Sequence, residues 1–244
     1  MRRAASGGKV RSVNPNVTYI YLHNRVPALT YRFTKEQFAR LADAGILKRK
    51  ECAELIDGQV VAGSVPRRFT VEEYERMGTT GILQEDERVE LLDGEIILMS
   101  PIGYRHARTV NLLTKFFARH AAKRYEVSIQ NPIQLPENYQ PQPDVVLAKI
   151  PPPEQAHHPG PAEIFLLIEV ADSSLGLDQS AKIPVYAAAE VQEYWIVNLT
   201  ENFVEVYRRP GFDDYGEKLI VRSGETVTCL AFPGIKVPVS KILP

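Results

Sequence analysis

Hydrophobic and polar positions change their period several times along this chain, and each change marks an element. Thr34 with Gln37, and again Thr70 with Glu73, form capping boxes, and Phe33 with Phe38 and Phe69 with Tyr74 are placed as hydrophobic staples, so each site predicts the start of a short helix. Each helix is followed by two short apolar runs around an Asp-Gly pair, Asp57-Gly58 and Asp93-Gly94, the strongest short-range signal for a hairpin. A two-residue loop at Asp93-Gly94 pairs Leu91 with Ile96 and Val89 with Leu98 on one face and turns Glu90 and Ile97 to the other. Further on, residues 104–124 contain neither Pro nor Gly and place His106, Val110, Leu113, Phe117 and Ala121 at helical spacing. Strand-like runs at 127–130, 132–135, 144–148, 164–170, 193–197 and 203–207 flank a helix around 185–190, with a Pro-rich loop at 150–161. The order predicts an α/β or α+β domain built on a mixed sheet.

The two helix-hairpin segments are copies of each other. Arg32-Phe33-Thr34 recurs as Arg68-Phe69-Thr70, Gly45-Ile46-Leu47 as Gly81-Ile82-Leu83, and Glu54-Leu55-Ile56-Asp57-Gly58 as Glu90-Leu91-Leu92-Asp93-Gly94, always 36 residues apart. Two copies are too few for a solenoid, so the pattern reads as a partial duplication. Three segments follow: a flexible tail over 1–30 with a short strand at 17–22, the partial duplicate at 31–63, and a main domain at 64–244. Because the apolar face of the first copy, with Phe38, Leu55 and Val60, must be covered, it is expected to extend a sheet edge or occupy a dimer surface.

Composition narrows the class without choosing a partner. The 244 residues are 44% hydrophobic and 24% charged, enough for one principal core, and the net charge of −1 advertises no global attraction to polyanions. Cys52 and Cys229 stand far apart and form no CxxC, which fits a reducing cytoplasm and argues against a disulfide framework or a structural zinc. No run approaches a membrane span, and neither GxGxxG nor GxxxxGK[ST] occurs. The expectation is a soluble cytoplasmic protein.

Candidate chemistry lies on two apolar strands that each carry one carboxylate, Asp144 and Glu169, with Lys182 a short distance on. Burying a carboxylate costs several kcal/mol unless a cation compensates it. The sequence leaves open whether these strands pair parallel or antiparallel, but antiparallel pairing would bring Asp144 and Glu169 to the same edge of the sheet. Two carboxylates there, with the Val170 carbonyl, would make a hard oxygen site suited to Mg2+ or Mn2+, and Lys182 could orient an attacking water.

Pro143-Asp144, Ile168-Glu169-Val170, Asp178 with Lys182 and Tyr186, and Glu193-Tyr194-Trp195-Ile196-Val197 resemble the Uma-two endonuclease family, within the PD-(D/E)XK restriction-endonuclease-like superfamily. The resemblance spans roughly residues 67–238 and includes Glu90-Leu91-Leu92-Asp93-Gly94-Glu95 and Ser100-Pro101 before His106. It implies a restriction-endonuclease-like core with flanking helices, metal-dependent cleavage of DNA phosphodiesters, and metal carboxylates at Asp144 and Glu169. One element departs from the superfamily pattern: the usual lysine position, two residues after the acid, is Ala171, and Lys182 stands as the substitute. Pro184 marks the first turn of the helix behind it.

His106 at the start of its helix and Glu90 on the hairpin face are the further candidates for the site. Arg105, Arg108, Lys115, Arg119 and Lys123 recur on the helix of residues 104–124, which has no acidic residue, and suggest a nucleic-acid-binding stripe. Alternatives are a solvated helix face for the stripe, a non-catalytic nucleic-acid- or protein-binding module for the whole, and a hydrolase of a small phosphoester.

Overall fold

The structure is a computed structural model; it describes residues 19–22, 26–136, 138–152, 154 and 157–243, with side chains described from residue 29 onward. The chain runs β1 (Tyr19–Leu22), β2 (Val26–Leu29), α1 (Lys35–Asp43), β3 (Ala53–Ile56), β4 (Gln59–Ala62), β5 (Val65–Pro66), α2 (Val71–Thr79), β6 (Val89–Leu92), β7 (Glu95–Leu98), α3 (Tyr104–Ala121), β8 (Glu126–Ile129), β9 (Val145–Ala148) and β10 (Ile164–Ala171). One α turn, α4 (Leu175–Leu177), then opens into a wider π turn over Asp178–Lys182 and continues as α5 (Ile183–Ala188). The remaining strands are β11 (Glu193–Asn198), β12 (Phe203–Pro210), β13 (Tyr215–Arg222), β14 (Thr226–Thr228) and β15 (Lys236–Pro238).

Six strands form the central sheet in the order β13-β12-β11-β10-β9-β8. Only β10 and β11, joined through the helical stretch 175–188, pair in parallel; the other neighbours are antiparallel, so the sheet is mixed as expected. Strand alternation sends Val145, Leu147, Leu166, Ile168, Trp195 and Val197 to one face, where they pack with Val110, Leu113 and Phe117 of α3. Val146, Leu167, Tyr194 and Ile196 face the other way, against Ile183, Tyr186 and Ala187 of α5. The result is a layered helix-sheet-helix core in which each β-strand residue's parity decides its helix partner.

Both capping boxes form, at Thr34 with Gln37 and Thr70 with Glu73, and each starts a nine-residue helix. Both hairpins turn at the expected pairs: Asp57 and Gly58 have φ of 48° and 76°, Asp93 and Gly94 of 49° and 70°, the left-handed pairing that a two-residue hairpin loop requires. At Gly94 a side chain is excluded sterically as well, because a Cβ would lie 2.8 Å from Cβ of Arg68. The register Val89 to Leu98, Glu90 to Ile97 and Leu91 to Ile96 is the one the alternation predicts.

Of the expected tail over 1–30, residues 1–18 and 23–25 lie outside the described residues; the strand expected at 17–22 is seen over Tyr19–Leu22 as β1, which pairs antiparallel with β2, and Thr30 bridges to Ile97. Two expectations are corrected. Residues 132–135 form no strand: Pro132 lacks a donor, and Ile133 and Leu135 are buried by a loop whose backbone bonds go singly, as from Ile133 N–H to the Pro141 carbonyl. The α3 helix stops at Ala121 because Ala122 and Lys123 turn left-handed, with φ of 44° and 62°, so Lys123 lies beyond it. The apolar face of the first helix-hairpin copy is covered within the chain: Phe33, Leu41, Ile46 and Val60 share one hydrophobic cluster with Phe69, Met77, Ile82 and Ile96 of the second copy.

Candidate active site

The site begins with the pairing of β9 and β10. Val145 opposes Ile168, so Asp144, one residue earlier, stands opposite Glu169 at the same end of two antiparallel neighbours. The Val170 N–H donates to Asp144 Oδ2 at 2.9 Å, fixing the carboxylate against the partner strand. His106, in the first turn of α3, brings Nε2 to 2.9 Å from the same oxygen, and Gln130 Nε2 donates to Oδ1 at 3.0 Å. Burial pushes the Asp144 carboxyl up, but the His106 ring, the Val170 amide and the Gln130 amide outweigh it and leave the carboxyl below its usual range.

Glu169 is held differently. Lys182 Nζ donates to its Oε1 at 2.9 Å and the Tyr186 hydroxyl to the same oxygen at 3.2 Å. Lys182 is only 4% exposed and also lies 3.3 Å from Glu90 and 3.7 Å from Asp178. Deep burial works against the ammonium, yet Glu169, Glu90 and Asp178 hold it protonated well above the usual lysine range. Burial pushes the Glu169 carboxyl well up, with the neighbouring Asp178, Asp144 and Glu90 adding to the rise against the opposing pull of Lys182. Burial likewise raises Asp178 to about 6.

Three residues enter the site that sequence reasoning gave no role. Asp178 is 1% exposed; its Oδ2 accepts from the Ser174 hydroxyl at 2.7 Å, while its buried Oδ1 has no hydrogen-bond partner. Tyr186 and Gln130 orient the two carboxylates as just described. The steps of four from Asp178 to Lys182 to Tyr186 carried the signal for the first two, because residues four apart share a helix face.

Glu90, Asp144, Glu169, Asp178, Lys182 and His106 all line one cavity of about 450 Å³. Leu29 at the end of β2 also lines it, so the N-terminal part of the chain supplies wall to the cavity. Of the basic stripe, Arg105 is tied to the Leu199 carbonyl and lies 3.5 Å from Asp172, whereas Arg108, Lys115 and Arg119 are exposed along α3 outside the cavity lining.

Among the described residues no three His, Cys, Asp or Glu side chains converge as a ready-made metal cage. A small hard cation needs fewer protein ligands, because Mg2+ is usually held by one or two carboxylates and completes its shell from water and phosphate. Three carboxylates around one ammonium, an orphaned buried oxygen among them, with Asp144 facing Glu169 in the same cavity, form an all-oxygen, electron-rich donor set that fits such an ion.

A mixed sheet with flanking helices, carrying two carboxylates at the shared end of adjacent strands and a lysine against one of them, defines a restriction-endonuclease-like protein. The family model described as Uma2, putative restriction endonuclease, matches residues 71–240, and the chain belongs to that family. The fold is similar to the crystal structure of a putative nuclease belonging to DUF820 from Anabaena variabilis, with a TM-score of 0.55 and 15% identity over 71% of this chain and 97% of that one. No curated protein matches the chain. Among the described residues no helix is long and apolar enough to cross a membrane.

Proposed function

We propose that this nuclease-family protein is a metal-dependent endonuclease that hydrolyses DNA phosphodiester bonds with Mg2+, or with Mn2+ in its place. The observation that carries the reading is the opposition of Asp144 and Glu169 across β9 and β10 in one cavity with Lys182 and His106. Asp144 and Glu169 would hold the ion, which when bound supplies electrophilic stabilisation of the scissile phosphate. The Lys182 ammonium puts a fixed positive charge beside Glu169, where it can steady an attacking water or developing negative charge. His106 positions Asp144 through Nε2, and its buried Nδ1 is left without a hydrogen-bond partner. Arg108, Lys115 and Arg119 would meet the DNA backbone along α3, whose first turn opens on the cavity rim through Gly103 and His106. Two free cysteines, Cys52 exposed and Cys229 buried, are in keeping with a cytoplasmic location.

The test is nicking of supercoiled plasmid in Mg2+ by the native protein, Asp144→Asn and Glu169→Ala. Cleavage by the native protein alone is expected. Equal nicking by all three would mark a contaminant and end the enzyme reading, and no nicking by any, with DNA still bound, would leave a binding module on a nuclease fold.

A further inference from the structure

The two helix-hairpin copies contact each other by a rule. The Tyr31 N–H donates to the Ile96 carbonyl at 2.8 Å, and 36 residues on, the Arg67 N–H donates to the Val60 carbonyl at 2.9 Å. Thr30 bridges Ile97 while Pro66 pairs with Val61. The Tyr31 hydroxyl reaches Glu87 at 2.7 Å, and Arg67 reaches Glu51 at 2.8 Å. Gln37 caps the Ile82 carbonyl at 2.8 Å, while Arg67, gripped by Glu73, caps the Ile46 carbonyl at 3.1 Å. In the first three pairs the second contact is the first with the roles of the copies exchanged; in the fourth the carbonyls are equivalent, but Arg67, bound to Glu73, donates where Glu73 is the equivalent of Gln37. The equivalent rings Phe33 and Phe69 then meet each other, centroids 5.9 Å apart, where a two-fold axis between the copies would pass.

Reciprocity of this kind, with i meeting j and the equivalent of j meeting the equivalent of i, is the defining property of an isologous interface between identical subunits. Here it is closed inside one chain. The second copy is also complementary to itself. Glu51 and Glu87 are equivalent positions with the same residue, so Arg67 of one second copy would find Glu87 of another where it now finds Glu51. Phe69 would find Phe69, and the apolar patch of Met77, Ile82 and Ile96 would be covered by its like. The first copy carries none of the cavity's charged groups; among the described residues, Leu29 of its N-terminal flank lines the cavity.

We propose that residues 31–62 are a built-in substitute for a second subunit: they occupy a self-pairing surface on residues 67–98, and when they are unseated that surface takes a second copy of this chain. The occupant is set by the reciprocal contacts and the Arg67-to-Glu87 complementarity.

The experiment uses the full-length chain and light scattering after size exclusion. Leu41→Asp places a charge at a fully buried position of the first copy's share of the core and should release that copy, seen as selective proteolysis within 31–62. The mass of this variant should then double relative to the native chain at tens of micromolar. Adding Arg67→Glu should return it to the native mass by opposing Glu87, and adding Glu87→Arg to that pair should restore the doubled mass. If Leu41→Asp loses the fold by circular dichroism, Gly58→Val, which strains only the first copy's turn at φ +76°, takes its place with the same expected outcomes. A folded variant with 31–62 protease-sensitive and the mass unchanged would overturn the proposal. So would a doubled mass indifferent to Arg67→Glu.

Discussion

Replacing Lys182 by Met removes the one ammonium among Glu169, Glu90 and Asp178 while keeping much of its volume. Those carboxylates lie 2.9, 3.3 and 3.7 Å from Nζ. Unit charges at such separations attract by roughly 4–6 kcal/mol each at an effective dielectric near 20. Most of that gain offsets the desolvation of the four groups, and what a truncation exposes is the uncompensated remainder, about 3–5 kcal/mol for a broken buried ion pair. A domain stable by ~5–15 kcal/mol survives such a loss, so the variant should fold and be measurable.

The sign with pH identifies the cause. Glu169 and Asp178 already have raised carboxyl pKa values in the native protein, and without the ammonium they rise further. Their folded state then binds more protons than the unfolded chain, so the stability they contribute is present at low pH and lost as pH rises through their folded values. Urea unfolding of native and Lys182→Met protein should therefore show the full deficit at pH 8 and a clearly smaller one at pH 5. Mg2+ should also recover part of the deficit at pH 8, because a cation in the cluster replaces the missing charge. A deficit below about 1 kcal/mol, equal at both pH values, would refute the account of Lys182 as the counter-ion of the cluster.

In otherwise native protein, Asp178→Asn should remove a pH dependence. A carboxyl raised to about 6 loses its contribution as pH climbs from 5 to 8, so the native-minus-variant stability difference should fall by about 1.4 kcal/mol across that window in urea melts. His106→Gln keeps a polar contact but loses the ring that positions Asp144, and should lower kcat for plasmid nicking about 10–100-fold with KM little changed; a rise in KM alone, with kcat unchanged, would point to DNA contact instead. Neutralising Arg108, Lys115 and Arg119 together should weaken DNA binding and flatten the plot of log affinity against log salt by about 2.7 if all three meet phosphates; an unchanged slope would return them to a solvated helix face.

What the sequence conveyed about this site depended on groups that announce themselves locally. Asp144 and Glu169 stand out because each interrupts an apolar strand, and the two-residue period of strands was enough to put them at one edge once an antiparallel pairing was assumed. The Asp-Gly turns fixed the register of β6 and β7, and with it the direction of Glu90, before any tertiary contact was known. The burial of Lys182 was not visible, since lysine spacing on a helix reads the same whether the face is wet or enclosed. Strand β13 was hidden for a related reason: Leu219 and Ile220 are adjacent and both exposed, so the segment shows no alternation to read. The reciprocal docking of the two copies was out of reach in principle, because a repeat shows that two segments are alike and says nothing of whether they touch.

The π turn over Asp178–Lys182 connects these local signals to the site's geometry. In an α-helix, residues four apart drift by about 40° per step, so Asp178, Lys182 and Tyr186 would share a face but spread over about 80° of it. A π turn closes its hydrogen bond one residue later and takes up part of that drift where Asp178 and Lys182 are spaced. Lys182 and Tyr186 then both reach Oε1 of Glu169, and Asp178 remains within 3.7 Å of the ammonium. Pro184 follows at a place where its missing N–H is tolerated, and α5 resumes regular geometry against the sheet. The displaced lysine is thus delivered to the carboxylates by a helix, eleven residues beyond the strand position Ala171. Its reach comes from a local irregularity in the helix, with the strand left free to pair.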